Sequence, residues 1–187
     1  TMNVIALLWL PILVAAVFVF IASALVHMVL KWHAPDYHGF SNEDDVADAL
    51  RKGNPAPGIY VVPYCSDMKD MASPQMQEKF RRGPIAKITL RAGQAPSMGK
   101  PLAQWFVYCL FVSLLCALIA APLLGGNASS HVVFHTTGLA AILGYAFGSF
   151  VQGIWWGQPW SAVFKDSADG ILYAIITGAT FAWLWPH

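Results

Sequence analysis

Charge is scarce in this sequence. Only 11% of its 187 residues are Asp, Glu, Lys or Arg, against roughly 25% in a typical soluble domain. With so little charge an ordinary water-soluble enzyme is excluded. Lys and Arg number 11 and Asp and Glu 10, for a net charge of +1. The basic surplus of a nucleic-acid binder is missing, so no nucleic-acid partner is expected. Cysteine is limited to three residues, which does not support a disulfide framework. There is no GxSxG, P-loop, HExxH, CxxC or dinucleotide fingerprint, so no motif specifies an enzyme. What the chain has is apolar mass: 57% hydrophobic residues, eight Trp and a mean hydropathy of +0.52.

That apolar mass is gathered into runs. Val4 to Leu30 carries no charge, and His27 is its one ionisable side chain. Leu102 to Leu124 is uncharged, as is Val132 to Trp156 apart from His135. Ile171 to Trp185 is uncharged, and Trp160 to Gly170 leads into it. About 20 apolar residues in a helix cross roughly 30 Å of hydrocarbon. The runs do not alternate, which excludes lipid-exposed strands. The reading is four transmembrane helices. Trp9, Trp32, Trp105, Trp155, Trp156, Trp160, Trp183 and Trp185 mark their ends, as an aromatic belt would. Ala22-Ser23-Ala24 resembles a signal cleavage site, yet no Lys or Arg precedes the run and the run is too long, so a retained helix is expected. Thr1 ahead of Met2 reads as a cloning remnant.

Ten of the eleven Lys and Arg lie between Lys31 and Lys100, and the eleventh is Lys165. With four crossings those two connections share one side. The positive-inside rule then places residues 31–100 in the cytoplasm and both termini outside. The domains expected are helix 1 over 1–30, a cytoplasmic α/β insert over 31–100, and helices 2–4 over 101–187.

The insert reads as helix–strand–helix–strand. Ser41-Asn42-Glu43-Asp44 is a helix start with acidic first-turn residues, and Arg51-Lys52-Gly53 a stop. Ile59 to Tyr64 is strand-like, with Pro63 near its end. Ser73-Pro74 opens a second helix through Phe80, Arg81-Arg82-Gly83-Pro84 ends it, and Ile85 to Arg91 alternates as a second strand. Two strands and two short helices make a marginal core. The insert is expected to lean on the membrane helices or on a partner.

Small residues recur every four positions in the last two spans. Gly170, Ala174, Gly178 and Ala182 stripe the fourth, and Ala140, Gly144 and Gly148 the third. Such faces allow close helix approach, here expected between spans three and four, with a second copy as the other possible partner.

Three constellations could carry chemistry. Cys65, Met68 and Met71, with Met76 nearby, offer soft sulfur suited to Cu(I); the bland reading is a free thiol beside flexible methionines. Cys109 and Cys116 read as packing residues. His131 and His135 lie four apart at the outer end of span three, with His187 on the same side. They could hold a metal or a haem iron, or simply meet headgroups. His27, Gln104, Gln152 and Asp169 should lie at similar depth near the cytoplasmic face, as interhelical glue or as a proton or ligand site. A His27–Asp169 pair is expected. Lys165 and Asp166 read as snorkelling charges.

Several segments together resemble an uncharacterised family of bacterial four-helix integral membrane proteins with a cytoplasmic insert. They are His27-Met28-Val29-Leu30, Asn42-Glu43-Asp44, Tyr60 through Cys65, Ser97-Met98-Gly99-Lys100 and Gly170-Ile171-Leu172-Tyr173-Ala174. The resemblance implies the topology and a bacterial inner-membrane setting, and it transfers no catalytic residue. The expectation is a non-enzymatic accessory or scaffold protein, bound by lipids and by a membrane partner or a second copy, with no cofactor strongly implied. The alternatives are a small oligomeric transporter or channel subunit and, behind it, a metal- or haem-binding membrane protein.

Overall fold

The structure, a computed structural model, describes residues 4–95 and 97–186. It is mainly helical, at 71% helix, with one two-stranded sheet. The chain divides into two units, Thr1–His38 with Ser97–His187, and Gly39–Pro96.

The first unit holds four helices long and apolar enough to cross a membrane: Val4–Leu30, Gly99–Leu123, Ser130–Trp156 and Trp160–Leu184. The shortest have 25 residues, which at 1.5 Å per residue reach about 37 Å. Within them, α1 covers Val4–Ala24 and α4 covers Gly99–Leu123. The third span, expected as one helix, is two: α5 over Ser130–Tyr145 and α6 over Gly148–Trp156. The fourth is α7, Trp160–Leu184.

The departures from regular helix have local causes. Pro11 in α1 has no N–H and its ring crowds the carbonyl four residues back, and Leu8 leaves helical geometry (φ −114°, ψ 17°). After Ala24 the helix widens into a π-helical turn, Leu25–Leu30, which Lys31 ends in the left-handed region (φ 52°). The chain then folds back through the 3₁₀ turn Ala34–Asp36, with Pro35 in its first turn. In span three, Gly144 and Gly148 weaken the helix on either side of the break. Beyond it the Ser149 hydroxyl donates to the Ala146 carbonyl at 2.7 Å.

The core lies between α1, α4, α5 and α7. Leu8, Val133 and Phe181 are fully buried there, beside Ala141, Ala174 and Cys116. A second cluster of Ala16, Val19, Cys109 and Tyr173 packs with Trp105 and Phe106. Cys109 and Cys116 are buried free thiols. Trp105 Nε1 donates to Ser23 Oγ at 2.8 Å and Trp185 packs inside, whereas Trp155, Trp156, Trp160 and Trp183 stay on the outer surface. In a bilayer, helices gain no hydrophobic free energy by meeting one another, so there the fit between them would carry the association.

That fit is tightest between α5 and α7. A Cβ on Gly170 would lie 2.6 Å from the Tyr145 carbonyl oxygen and the Ala146 Cα. One on Gly178 would lie 2.9 Å from the Phe134 carbonyl oxygen. The stripe expected on α7 therefore faces span three. The stripe expected on span three does not face back. Gly144 abuts Val112 of α4, and Gly148 has no neighbour within 4 Å of its would-be Cβ. The α5 positions met by α7 are Phe134, Gly138 and Tyr145–Ala146, on another face of the helix from Ala140, Gly144 and Gly148.

The second unit has α2 (Glu43–Lys52), β1 (Gly58–Val62), a 3₁₀ turn (Met68–Ala72), α3 (Pro74–Arg82) and β2 (Ala86–Leu90). The strands pair antiparallel, from Gly58 opposite Leu90 to Val62 opposite Ala86. Ser73 caps α3 by accepting from the Met76 N–H, and Gly83 ends it at φ 60°, a backbone open to glycine. Asn42 precedes α2 without a side-chain cap bond, and Glu43, Asp44 and Asp45 fill the first turn. Among its described residues, 39–95, not one is buried.

Gly170→Ala is expected to destabilise the bundle by about 1–3 kcal/mol, the usual cost of overpacking. Gly148→Ala is expected to be neutral or slightly stabilising. Unfolding of the purified protein in detergent measures both.

Candidate functional site

The polar residues at one end of the first unit converge on Asp169. This residue is ten positions into α7, and its side chain is only 6% exposed. A bare carboxylate withdrawn from water is costly unless partners surround it. Two histidines supply them. His33 Nε2 lies 2.8 Å from Asp169 Oδ2, and His27 Nε2 lies 3.6 Å from the same oxygen. The rings of His27 and His33 have centroids 4.9 Å apart and are tilted by 31°. Their relation depends on the π-helical turn and the left-handed Lys31, which return the chain so that residues 27 and 33 meet α7 together. Irregular helix of this kind recurs at functional sites.

A second tier holds the first. His33 Nδ1 lies 3.3 Å from Asp36 Oδ2 and 3.7 Å from Asp166 Oδ1. Lys165 Nζ donates to Asp36 Oδ1 at 2.7 Å and to the Trp32 carbonyl at 3.0 Å. Gln158 Nε2 donates to Asp166 Oδ2 at 2.8 Å. The Lys165 ammonium beside Asp36 holds its carboxyl below the usual carboxylate range, and His33 adds to this against the opposing desolvation. Burial is graded across the site: the His33 side chain is 12% exposed and that of His27 51%. The arrangement is a buried oxygen flanked by two imidazole nitrogens, with one ring open to the surroundings.

The expected His27–Asp169 pair is thus present. Gln104 and Gln152 are exposed and make no side-chain hydrogen bond to it among the described residues. Lys165 and Asp166, expected as snorkelling charges, are bound into the second tier. His33 and Asp36 were not expected at the site. The signal for them was Pro35 in a short turn directly after a span end.

The other candidate ligands lie apart. His131 and His135 are exposed on α5 with Nε2 atoms 3.0 Å apart. His187 lies outside the described residues. Cys65 Sγ donates to the Asp67 carbonyl at 2.9 Å. Met68 is exposed and Met71 half-buried on the turn that follows. Ala174 is buried on α7 and Ala182 and Ala140 half-buried, all as packing residues.

Lys165→Met is expected to free the Trp32–Tyr37 turn. Amide hydrogen exchange should speed up at least tenfold there, a loss of about 1.4 kcal/mol, while α5 keeps its protection.

Set against known protein families, curated proteins and solved structures, the chain matches none of them.

Proposed function

We propose that the chain is a non-enzymatic accessory protein of a bacterial inner membrane, whose four helices carry a cytoplasmic insert that docks on another membrane component. The observation that carries this reading is the state of the insert. No described residue of 39–95 is buried, and Phe40, Ile59, Tyr64, Met68 and Ile85 are each exposed on it. Aromatic and aliphatic side chains of this kind dominate the buried centres of interfaces. A unit with no core of its own gains stability from what it binds.

Topology follows the charges. Lys31, Arg91 and Lys100 flank the insert, and Lys165 sits in the connection that shares its side, which favours a cytoplasmic insert with both termini outside. The packed interior supports docking over transport. Leu8, Val133 and Phe181 fill the centre of the bundle, and Thr137 and Thr177 donate to carbonyls of their own helices at 2.8 Å. A pathway would need a second copy.

Trypsin measures the reading directly, since Lys69, Lys79, Arg81, Arg82 and Lys87 are cleavage sites within the insert. The purified chain in detergent is expected to be cut there at least tenfold faster than the chain in native inside-out vesicles. Sealed right-side-out vesicles should give no cleavage. Equal resistance of the purified, monodisperse chain, or equal cutting in both states, would contradict the proposal.

A further inference from the structure

We infer that His27, His33 and Asp169 form a binding site for a divalent transition-metal ion of the zinc class. One atom from each, His27 Nε2, His33 Nε2 and Asp169 Oδ2, supplies a set whose members all lie within 4.8 Å of one another. Three ligands about 2.0–2.2 Å from a tetrahedral ion lie roughly 3.3 Å apart. The observed 2.8 Å and 3.6 Å separations from Asp169 Oδ2 bracket that spacing. Side-chain shifts of about half an ångström or less bring both to it.

The second tier is what turns three neighbours into a site. A ligating histidine almost always gives its other N–H to a carboxylate or carbonyl, which fixes the tautomer and aims the free lone pair at the metal. His33 Nδ1 faces Asp36 Oδ2 at 3.3 Å, and that oxygen is buried and makes no hydrogen bond, so it is available to orient the ring. Lys165 fixes the other oxygen of the same carboxylate. With the proton on Nδ1, the Nε2 lone pair of His33 points at the Asp169 carboxylate across 2.8 Å. Two lone pairs at that distance repel, and a cation between them removes the repulsion. Lys165 and Asp36 thus hold a neutral His33 so that its Nε2 and the Asp169 carboxylate face the same place, where a positive ion would sit.

Donor chemistry selects the class of ion. Two imidazoles and one carboxylate suit zinc and its first-row neighbours, whereas calcium and magnesium prefer all-oxygen sites and Cu(I) prefers sulfur. Three protein ligands leave a fourth position. It opens on the His27 side, where the side chain is half exposed. The bound ion would tie the turn after the first span to α7, 136 residues away in sequence.

Cobalt(II) is the probe, added to the full chain in detergent after chelator treatment. One equivalent should give the visible bands of a low-coordinate nitrogen and oxygen site, and Zn²⁺ should abolish them. His27→Ala, which removes a half-exposed ring and leaves the bundle intact, should weaken binding at least a hundredfold. Asp169→Asn should do the same. Asp36→Asn, which leaves all three ligands in place, should weaken it roughly 10–100-fold. His131→Ala with His135→Ala, and Cys65→Ala, should change nothing. Absence of bands in the folded wild-type chain would overturn the site and leave His33 as a hydrogen-bonding partner of Asp169 alone. Bands that survive His27→Ala and Asp169→Asn would also overturn it and place the ion elsewhere.

Discussion

The close approach of α7 to α5 at Gly170 orders the rest of the helical unit. With no side chain at that position, the backbone of α7 rests against Tyr145 and Ala146. Gly178, eight residues on, repeats the contact at Phe134. Two such contacts on one face fix the rotation of α7 about its axis as well as its position. Asp169 precedes the first of them, so its direction is set by the same constraint, toward the turn after the first span. Packing between helices and assembly of the polar cluster are in this sense one event. Where lipid supplies no hydrophobic drive, a backbone-to-backbone fit of this kind is the main source of specificity.

The irregular backbone lies where it serves this cluster. The π-helical turn at Leu25–Leu30 and the left-handed Lys31 are departures that a regular apolar helix would avoid. They fold Trp32–Asp36 back so that His33 reaches Asp169 and Asp36 reaches Lys165. The insert is the opposite case. Ser73 caps α3 and the strands pair in the ordinary way, yet no described residue of the insert is buried. One unit holds a packed core with a polar tie at one end, and the other offers exposed apolar side chains.

Much of the fold was legible in the sequence because it is written in charge. Uncharged runs pointed to the four long helices, and a strand-like run at Ile59–Tyr64 and alternation at Ile85–Arg91 located the strands to within two residues of their observed ends. Depth along each helix was legible too, so His27 and Asp169 could be paired across 142 residues (169 − 27). Rotation about the helix axis was legible only for α7, from its Gly170–Gly178 stripe. The other helices are apolar all round, with no polar face to show which side turns inward. Gln104 and Gln152 therefore read as partners of Asp169 and instead face outward. For the same reason the stripe of Ala140, Gly144 and Gly148 read as the face toward α7, although Phe134, Gly138 and Tyr145–Ala146 hold that place. His33 and Asp36 stayed hidden because they follow the charge that ends the first span, and the fold-back depends on the unusual conformation of Lys31.

The register of α7 brings Asp169 into direct contact with His33. A double-mutant cycle of His33→Gln and Asp169→Asn, read as unfolding free energy of the metal-free chain in detergent, measures that contact without assuming any role for it. Strong non-additivity is expected, with a coupling of about 1–3 kcal/mol between residues 136 positions apart. Effects that add to within about 0.3–0.5 kcal/mol would contradict it.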